Sequence, residues 1–512
     1  MRKNLLLGGA LLFCSLMTFT SCDQVFSNLD NPVSSYLELP ETSVTIYRGQ
    51  SHKIEYKTIS DAKPVFKSAD EKIAIVDPET GVVTGANAGT TKITVELPAT
   101  PVYNADTKEF TVTVDALLSL AETEKEIAPG EPYKIGVSTK SDGKITYKSS
   151  NEKVATVDNA GNVTAIASGD ATITVSIAAT PTYNRTETAD FTAKVRIFNF
   201  AQLKKETVSS EAKEVTSYLA DDADIQLTGE INLSGKKNVQ IIGNKEHPAK
   251  ITPINKTFTI EGGFKIANVL IDASKTNQAI IKGLKTPTIK AVASENYVIT
   301  EPIVLEGIRA TGVTKNFFAD NGIKYAYEQF TINDCVIQYA SQGNVVLNFA
   351  SSMAINLTIK NSTFYSKTAG TANFISMSGK RPDQITGYST GKFICDHNTF
   401  YNLATGAKNM FMNTNTLKGR EYKYEFNSNI FYETSYQKRI YVNITNNKKQ
   451  LTTDGLNTYL YAGGTKSFTD TNYNGDEGLK TDPGFKDATN GDFTVSGAEQ
   501  VANQTGDPRW LK

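Results

Sequence analysis

Phe330-Thr331-Ile332-Asn333-Asp334-Cys335-Val336-Ile337-Gln338 is followed by Leu357-Thr358-Ile359-Lys360-Asn361-Ser362-Thr363-Phe364-Tyr365, Phe393-Ile394-Cys395-Asp396-His397-Asn398-Thr399-Phe400-Tyr401 and Tyr424-Glu425-Phe426-Asn427-Ser428-Asn429-Ile430-Phe431-Tyr432. Each stretch reads as an alternating strand, a polar corner and a second short strand. Anchored on Ile332, Ile359, Cys395 and Phe426, the steps are 27, 36 and 31 residues. Repetition at that period, in strands without helices, predicts stacked rungs, because one such unit cannot bury its apolar face alone. The expected architecture is a right-handed parallel β-helix.

In register, Ile332, Ile359, Cys395 and Phe426 form one inward column, and Ile337, Phe364, Phe400 and Phe431 another. Cys335, Ser362, Asn398 and Asn429 fall at the corner, where stacked polar side chains can hydrogen-bond along the solenoid. Alternation turns the flanking residues outward. One outward column reads Gln338, Tyr365, Tyr401, Tyr432; the other reads Asn333, Lys360, Asp396, Asn427. Three tyrosines on successive rungs make a flat aromatic strip on which sugar rings would stack. The alternative is that a loop or the C-terminal tail covers the strip. In the second column Lys360 and Asp396 are rung neighbours, which predicts a surface ion pair. Ile266 belongs to the same series two rungs before Ile332, with the rung between around Ile303 to Ile308.

At 512 residues and net charge −1 the chain holds about three domains and has no concentrated basic surface, which argues against nucleic acid. It opens with Arg2 and Lys3, an apolar run from Leu5 to Phe19, then Phe19-Thr20-Ser21-Cys22. This resembles a bacterial lipoprotein signal, residues 1–21, with Cys22 as the lipidated first residue and the outer membrane, cell-surface side, as the implied location. Residues 22–36 read as a tether, rich in Asp, Asn, Ser and Pro. Cys335 and Cys395 then read as small buried hydrophobes rather than a disulfide or metal pair.

Two copies of one unit follow, residues 37–115 and 116–197. Glu71-Lys72-Ile73-Ala74 aligns with Glu152-Lys153-Val154-Ala155, Gly81-Val82-Val83-Thr84 with Gly161-Asn162-Val163-Thr164, and Ile93-Thr94-Val95 with Ile173-Thr174-Val175. These units resemble bacterial immunoglobulin-like domains of group 2. The resemblance implies two β-sandwiches acting in spacing, adhesion or display, with no catalytic residue. Their repeated carboxylates suit turn caps, with calcium as the alternative; no cofactor is expected.

Residues 198–512 form the solenoid domain. Leu203, Val208, Ala212, Val215 and Leu219 predict one helix or two over residues 198–222, capping the open end. The tail from Thr481 to Gly506-Asp507-Pro508-Arg509-Trp510 reads as a closing segment, with Trp510 packed on the last rung. The Asn-x-x-Phe-Tyr rungs, Ile241-Ile242-Gly243 and Gly-Asp-Pro-Arg-Trp resemble pectate-lyase-like solenoids. They are similar to surface lipoproteins of polysaccharide-utilisation systems in which domain-of-unknown-function families 4957 and 5123 follow one another. Outer-membrane glycan-uptake partners are implied.

A solenoid lyase needs a base beside a uronate and a positive group to stabilise the developing charge; a hydrolase needs two facing carboxylates. The outward columns offer one aspartate and one lysine. His397 sits at a corner without an evident partner, and Lys392, Arg381 with Asp383, Arg420, Lys438 and Arg439 are the loop candidates. The reading is therefore an all-β, lipid-anchored surface protein that binds polysaccharide at Tyr365, Tyr401, Tyr432, Asn333, Lys360, Asp396 and Asn427 without catalysis. The alternatives are a β-helix lyase or hydrolase, and an adhesive or structural rod.

Overall fold

The computed structural model describes residues 32–285, 288, 297–322, 325–377, 387–406, 411–414, 422–434, 451–452, 455–460 and 478–512, and it is all-β with few helices. The targeting segment, Cys22, Arg381, Asp383, Arg420, Lys438, Arg439 and the strand expected at 441–444 lie outside the described residues. The described residues divide into two compact units: one runs to 121 and includes 136–146 and 175–189; the other holds 122–135, 147–174 and 190–512.

In the first unit, strands Ser43–Tyr47, Asp106–Asp115, Gly89–Leu97 and Val65–Ser68 form a four-stranded sheet, and Ser51–Lys53, Val82–Gly85 and Ala74–Val76 a three-stranded one. Phe66, Val83, Ile93, Val95, Phe110 and Val112 are buried together in its core. The repeated motif residues have structural duties here. Asp77 accepts from the amides of Glu79 and Thr80 at 3.0 and 2.8 Å, an Asx turn that ends in Gly81 at φ +69°. A Cβ on Gly81 would meet the Phe66 ring at 2.6 Å, so the motif glycine also admits an aromatic. The Thr80 and Glu79 bonds hold the Asp77 carboxyl below its usual range. The second repeat reuses the chemistry: Asp158 accepts from Ala160 and Asn162 amides, both at 2.8 Å, ahead of Gly161. In both repeats the motif carboxylate therefore caps the amides of its own turn.

In the second unit the chain winds through three stacked parallel sheets. Sheet A runs from Glu214–Tyr218 and Asn238–Ile242 through Tyr325–Asn333, Met353–Lys360 and Gly391–Asp396 to Tyr422–Asn427 and Leu451–Thr452. Sheet B runs from Asp224–Leu227 to Thr458–Leu460, and sheet C from Ile231–Asn232 to Met412–Asn413. Every turn contributes one strand to A and one to B. The registers are those of the sequence columns: Ile332 opposite Ile359, Ile359 opposite Cys395, and Cys395 opposite Phe426. Ile266 faces Leu305, which faces Ile332, so the weakly marked rung falls at Leu305. Inside, Phe364, Phe400, Phe431 and Tyr459 stack nearly parallel at 5.7, 5.0 and 5.6 Å between centroids.

The corner from A to B is built from two neighbouring columns. Asn268, Gly307, Asp334, Asn361, His397 and Ser428 all have φ between +50° and +61°, a conformation open to Gly, Asn and Asp. The bend thus sits one residue before the column expected to form it. That column is buried instead and carries a ladder. The Cys335 amide donates to Ser362 Oγ at 3.1 Å, the Ser362 amide to Asn398 Oδ1 at 3.0 Å, and the Asn398 amide to Asn429 Oδ1 at 3.0 Å. The Asn429 amide donates to Asn457 Oδ1 at 2.8 Å. Each asparagine also donates Nδ2 to the next, at 2.9 Å in both steps. Cys335 and Cys395 are buried, free thiols; burial pushes the Cys335 thiol up to about 12.

Two expectations need correction. The helix over 198–222 is real only as Phe200–Thr207, capped by the Asn199 side chain and burying Leu203 in the solenoid core. Val215 belongs to Glu214–Tyr218, the first strand of sheet A, because β-branched residues there gain a full ladder against Asn238–Ile242. The tail, in turn, does not stop at the last rung but runs back along sheet B.

Replacing Asn429 with alanine strips the Asn398 amide and the Cys395 carbonyl of buried partners. Urea unfolding of N429A is expected to show a loss of about 3 kcal/mol. Alanine at the exposed Asn356 serves as the control and is expected to cost under about 0.5 kcal/mol.

Candidate binding faces of the solenoid

The tyrosine strip exists and is partly covered: Tyr365 is buried, while Tyr401 and Tyr432 stay partly exposed. Tyr365, Tyr401 and Tyr432 are register neighbours on sheet B, and Tyr401 stacks on Tyr432 at 5.8 Å. The tail lays Phe493 against Tyr365 at 5.0 Å and Tyr401 at 5.8 Å, and Phe485 against Tyr432 at 5.6 Å. Tyr365 keeps 6% of its surface. Gly491 passes so close that a Cβ there would meet the Tyr365 hydroxyl at 2.5 Å. The tail thus packs against all three rings and buries the first of them.

Gly-Asp-Pro-Arg-Trp is the clasp that fastens this cover. Asp507 is 1% exposed, accepts from Thr363 Oγ1 at 2.7 Å and pairs with Arg509 at 2.5 Å. Arg509 also pairs with Asp334, which Arg309 approaches at 3.3 Å. Burial pushes Asp507 up to about 6, against the pull of Arg509. Trp510 Nε1 donates to Thr363 Oγ1 at 2.8 Å. Trp510 therefore anchors three rungs upstream of the last described one, Thr458–Leu460, because the donors and acceptors it needs lie beside Asp334 and Thr363.

Sheet A presents the other outward column, partly exposed throughout. Asn333, Lys360, Asp396 and Asn427 follow one another in register. Asn333 accepts from Asn361 Nδ2 at 3.1 Å. The expected Lys360–Asp396 ion pair is not formed: Asp396 turns to His397 Nδ1 at 2.8 Å, and Lys360 has no ion pair among the described residues. His397, expected to lack a partner, thus has one. The left-handed backbone at His397 folds its ring back over the preceding carboxylate. That hydrogen bond raises the His397 pKa above its usual 6.5, against desolvation.

On the same face, beyond an intervening column of Thr331, Thr358, Ile394 and Glu425, stands one the sequence reading passed over: Gln329, Asn356, Lys392 and Lys423, again in register. It lies four residues upstream on each strand, so the same alternation contained it. Lys392 is thus a strand residue, not a loop residue, and pairs with Glu425 at 2.9 Å. Sheet A therefore offers amides, ammonium groups and carboxylates on adjacent rungs about 4.8 Å apart. Among the described residues no three His, Cys, Asp or Glu side chains gather as a metal site, and no helix is long and apolar enough to cross a membrane.

Three family models match parts of the chain. Domain of unknown function DUF4957 matches residues 223–367, domain of unknown function DUF5123 residues 393–510, and bacterial Ig-like domain (group 2) residues 133–177. No curated protein matches. Among solved structures, domains 4 and 5 of the S-layer protein SbsC align at 18% identity and TM-score 0.13, over 32% of this chain and 98% of that one. Drosophila N-cadherin EC1-3 aligns at 12% and 0.15, over 33% and 68%. A SusE-like surface located polysaccharide binding protein from the Bacteroides thetaiotaomicron heparin utilisation locus aligns at 10% and 0.19, over 32% and 34%. Likenesses this slight assign no function.

The His397–Asp396 pair has a pH signature. A raised histidine pKa means the fold binds the proton more tightly than the unfolded chain does, so its stabilisation is complete below about pH 6.5 and disappears as pH rises through the higher folded value. Both groups are about one-third exposed, so the gain is held to about 1 kcal/mol or less. Asp396→Asn is expected to return the His397 NMR titration to about 6.5. For the clasp, Arg509→Ala leaves Asp507 buried and unpaired, with an expected loss of about 3 kcal/mol. Hydrogen exchange across residues 481–510 should then accelerate while sheet A stays protected.

Proposed function

We propose that this chain is a lipid-anchored surface protein, attached through Cys22, that binds polysaccharide along sheet A of a right-handed, pectate-lyase-like β-helix. The two immunoglobulin-like units, 37–115 and 116–197, act as spacer. Cell-surface display at the outer membrane, beside glycan-uptake partners, is the setting in which a tethered glycan binder serves. The observation that carries the reading is the partly exposed polar face of sheet A. Four successive rungs hold amide, ammonium and carboxylate groups in two parallel columns, none needed for the core. A glycan presents hydroxyls at a comparable repeat, and a flat ladder of mixed donors and acceptors suits it. Tyr365 leaves the proposed site, since the tail buries it, whereas Tyr401 and Tyr432, partly exposed beside Phe493 and Phe485, stay candidates on sheet B.

One observation favours a second reading. Lys360, Asp396 and His397 bring acid and base groups together on adjacent rungs, as a polysaccharide lyase would need. Simultaneous substitution Lys360→Ala and Asp396→Ala is expected to weaken glycan retention in affinity electrophoresis at least about tenfold, the loss of one or two charge-assisted hydrogen bonds. Retention that survives the double substitution would remove sheet A as the site. Ultraviolet-absorbing unsaturated products from the unsubstituted protein, lost in His397→Ala, would establish the lyase instead.

A further inference from the structure

Where the first strands of sheet A begin, the wall opens into a cleft of about 700 Å³, lined among others by Lys213, Lys237, Thr288, Tyr297 and Glu301. Its cations are set by backbone pairing. The amides of Lys237 and Asn238 both donate to the Lys213 carbonyl, at 2.8 and 3.2 Å. Lys236 is buried behind them, and its ammonium donates to the Ser210 carbonyl and, at 2.8 Å, to that of Ala212. This ties down the segment that carries Lys213. Burial, and then the charge of Lys213, lower the Lys236 pKa.

Charge within the cleft is uneven. Lys237 is matched by Glu214 at 2.9 Å and Glu301 at 3.3 Å. Glu261 is buried and accepts from the Gly235 amide at 2.7 Å, from the Thr288 amide and from the Thr288 hydroxyl at 2.6 Å. Lys213 has no ion pair among the described residues. A Cβ on Gly235 would stand 3.7 Å from Thr288 Oγ1 and 3.8 Å from Lys213 Nζ, so this ammonium hangs over a bare glycine floor. One wall is Tyr297, its ring backed by Tyr325 at 4.8 Å.

Lys237 is already matched by Glu214 and Glu301, and Lys236 by backbone carbonyls, so Lys213, without an ion pair among the described residues, is the cation of this cleft that suits an anion. The cavity lies within the usual range for small-ligand sites, about 300 to 1,000 Å³, and suits one or two sugar rings. We propose that this cleft is a subsite for an acidic sugar residue of the bound polysaccharide. Its carboxylate or sulfate meets Lys213, its ring packs on Tyr297, and its hydroxyls donate to Glu301. The assignment rests on the glycan-binding reading of sheet A.

Affinity electrophoresis of the purified protein in gels holding a uronate polymer, its carboxyl-reduced neutral counterpart, a sulfated glycan or its desulfated form tests this. Stronger retention by an acidic polymer than by its neutralised form is expected, and the arm that shows it identifies carboxylate or sulfate. Lys213→Gln, at an exposed position, should leave the melting temperature unchanged and erase that preference, weakening acidic-polymer binding about tenfold. Tyr297→Ala should weaken acidic and neutral forms alike. Equal retention of acidic and neutral forms overturns the subsite. So does full acidic preference in Lys213→Gln and in the Lys213→Gln, Lys237→Gln double variant, while the sheet A reading stands if Lys360→Ala with Asp396→Ala still weakens retention at least about tenfold. No retention of the unsubstituted protein by any polymer overturns both.

Discussion

A parallel strand pair cannot be closed by a hairpin, so each coil must turn corners between sheets before it comes back, and each corner takes backbone amides out of the sheet ladder. Inside a stack those amides cannot reach water. At the A-to-B corner this chain satisfies them with the side chain of the next rung: Ser362 for Cys335, Asn398 for Ser362, Asn429 for Asn398 and Asn457 for Asn429. An asparagine is suited to the task because its carbonyl accepts from one neighbour while its NH₂ donates to another. The ladder also fixes register. A rung displaced by one residue would leave a buried amide unpaired and turn its apolar column to solvent, so the hydrogen-bond column and the Phe364–Phe400–Phe431 stack enforce the same alignment.

Once the interior is set, the outward residues are determined by alternation, and the two outer faces take different roles. Sheet B carries aromatics, and the chain uses them itself. Phe485 and Phe493 pack against Tyr365, Tyr401 and Tyr432, and Trp510 packs on Phe493, with Asp507, Arg509 and Asp334 joined into one charged network at the upstream end. An uncovered tyrosine strip next to exposed strand edges would invite association, and the tail removes that hazard. Sheet A keeps polar groups that contribute nothing to the core.

The parts legible in the sequence are those governed by short-range periodicity. Ile332, Ile359, Cys395 and Phe426 align because a two-residue alternation and a rung-length repeat are both local signals. The asparagine corner was legible for the same reason, although the left-handed bend at Asp334, Asn361, His397 and Ser428 lies one residue earlier, since asparagine, aspartate and serine side chains suit either task. Long-range placement was not legible. Nothing near Trp510 says that its partner is Thr363, 147 residues away, and apolar residues at helical spacing from Leu203 to Leu219 do not reveal that Val215 gains more from a strand ladder than from another helical turn. The pairing of His397 with Asp396 depends on a backbone φ of +51°, which makes sequence neighbours into spatial ones only after the corner has formed.

Rungs of a solenoid contact only adjacent rungs, so stability is close to a sum of local terms. Most positions follow that rule: the inward columns are apolar or laddered, and Asp77 and Asp158 are bound up in turn amides. The departures concentrate on sheet A and its starting edge. Lys360 and Lys213 stand without an ion pair among the described residues, and Asp396 pairs within its own corner rather than across rungs. Elsewhere on sheet A opposite charges do meet across rungs, Lys392 with Glu425 and Lys265 with Glu306, each pair contributing a few tenths of a kcal/mol. Lys360 on the polar face and Lys213 in the cleft at its starting edge lack such a partner among the described residues. Where local choices disagree with the fold's own interest, function is the physical reason to expect.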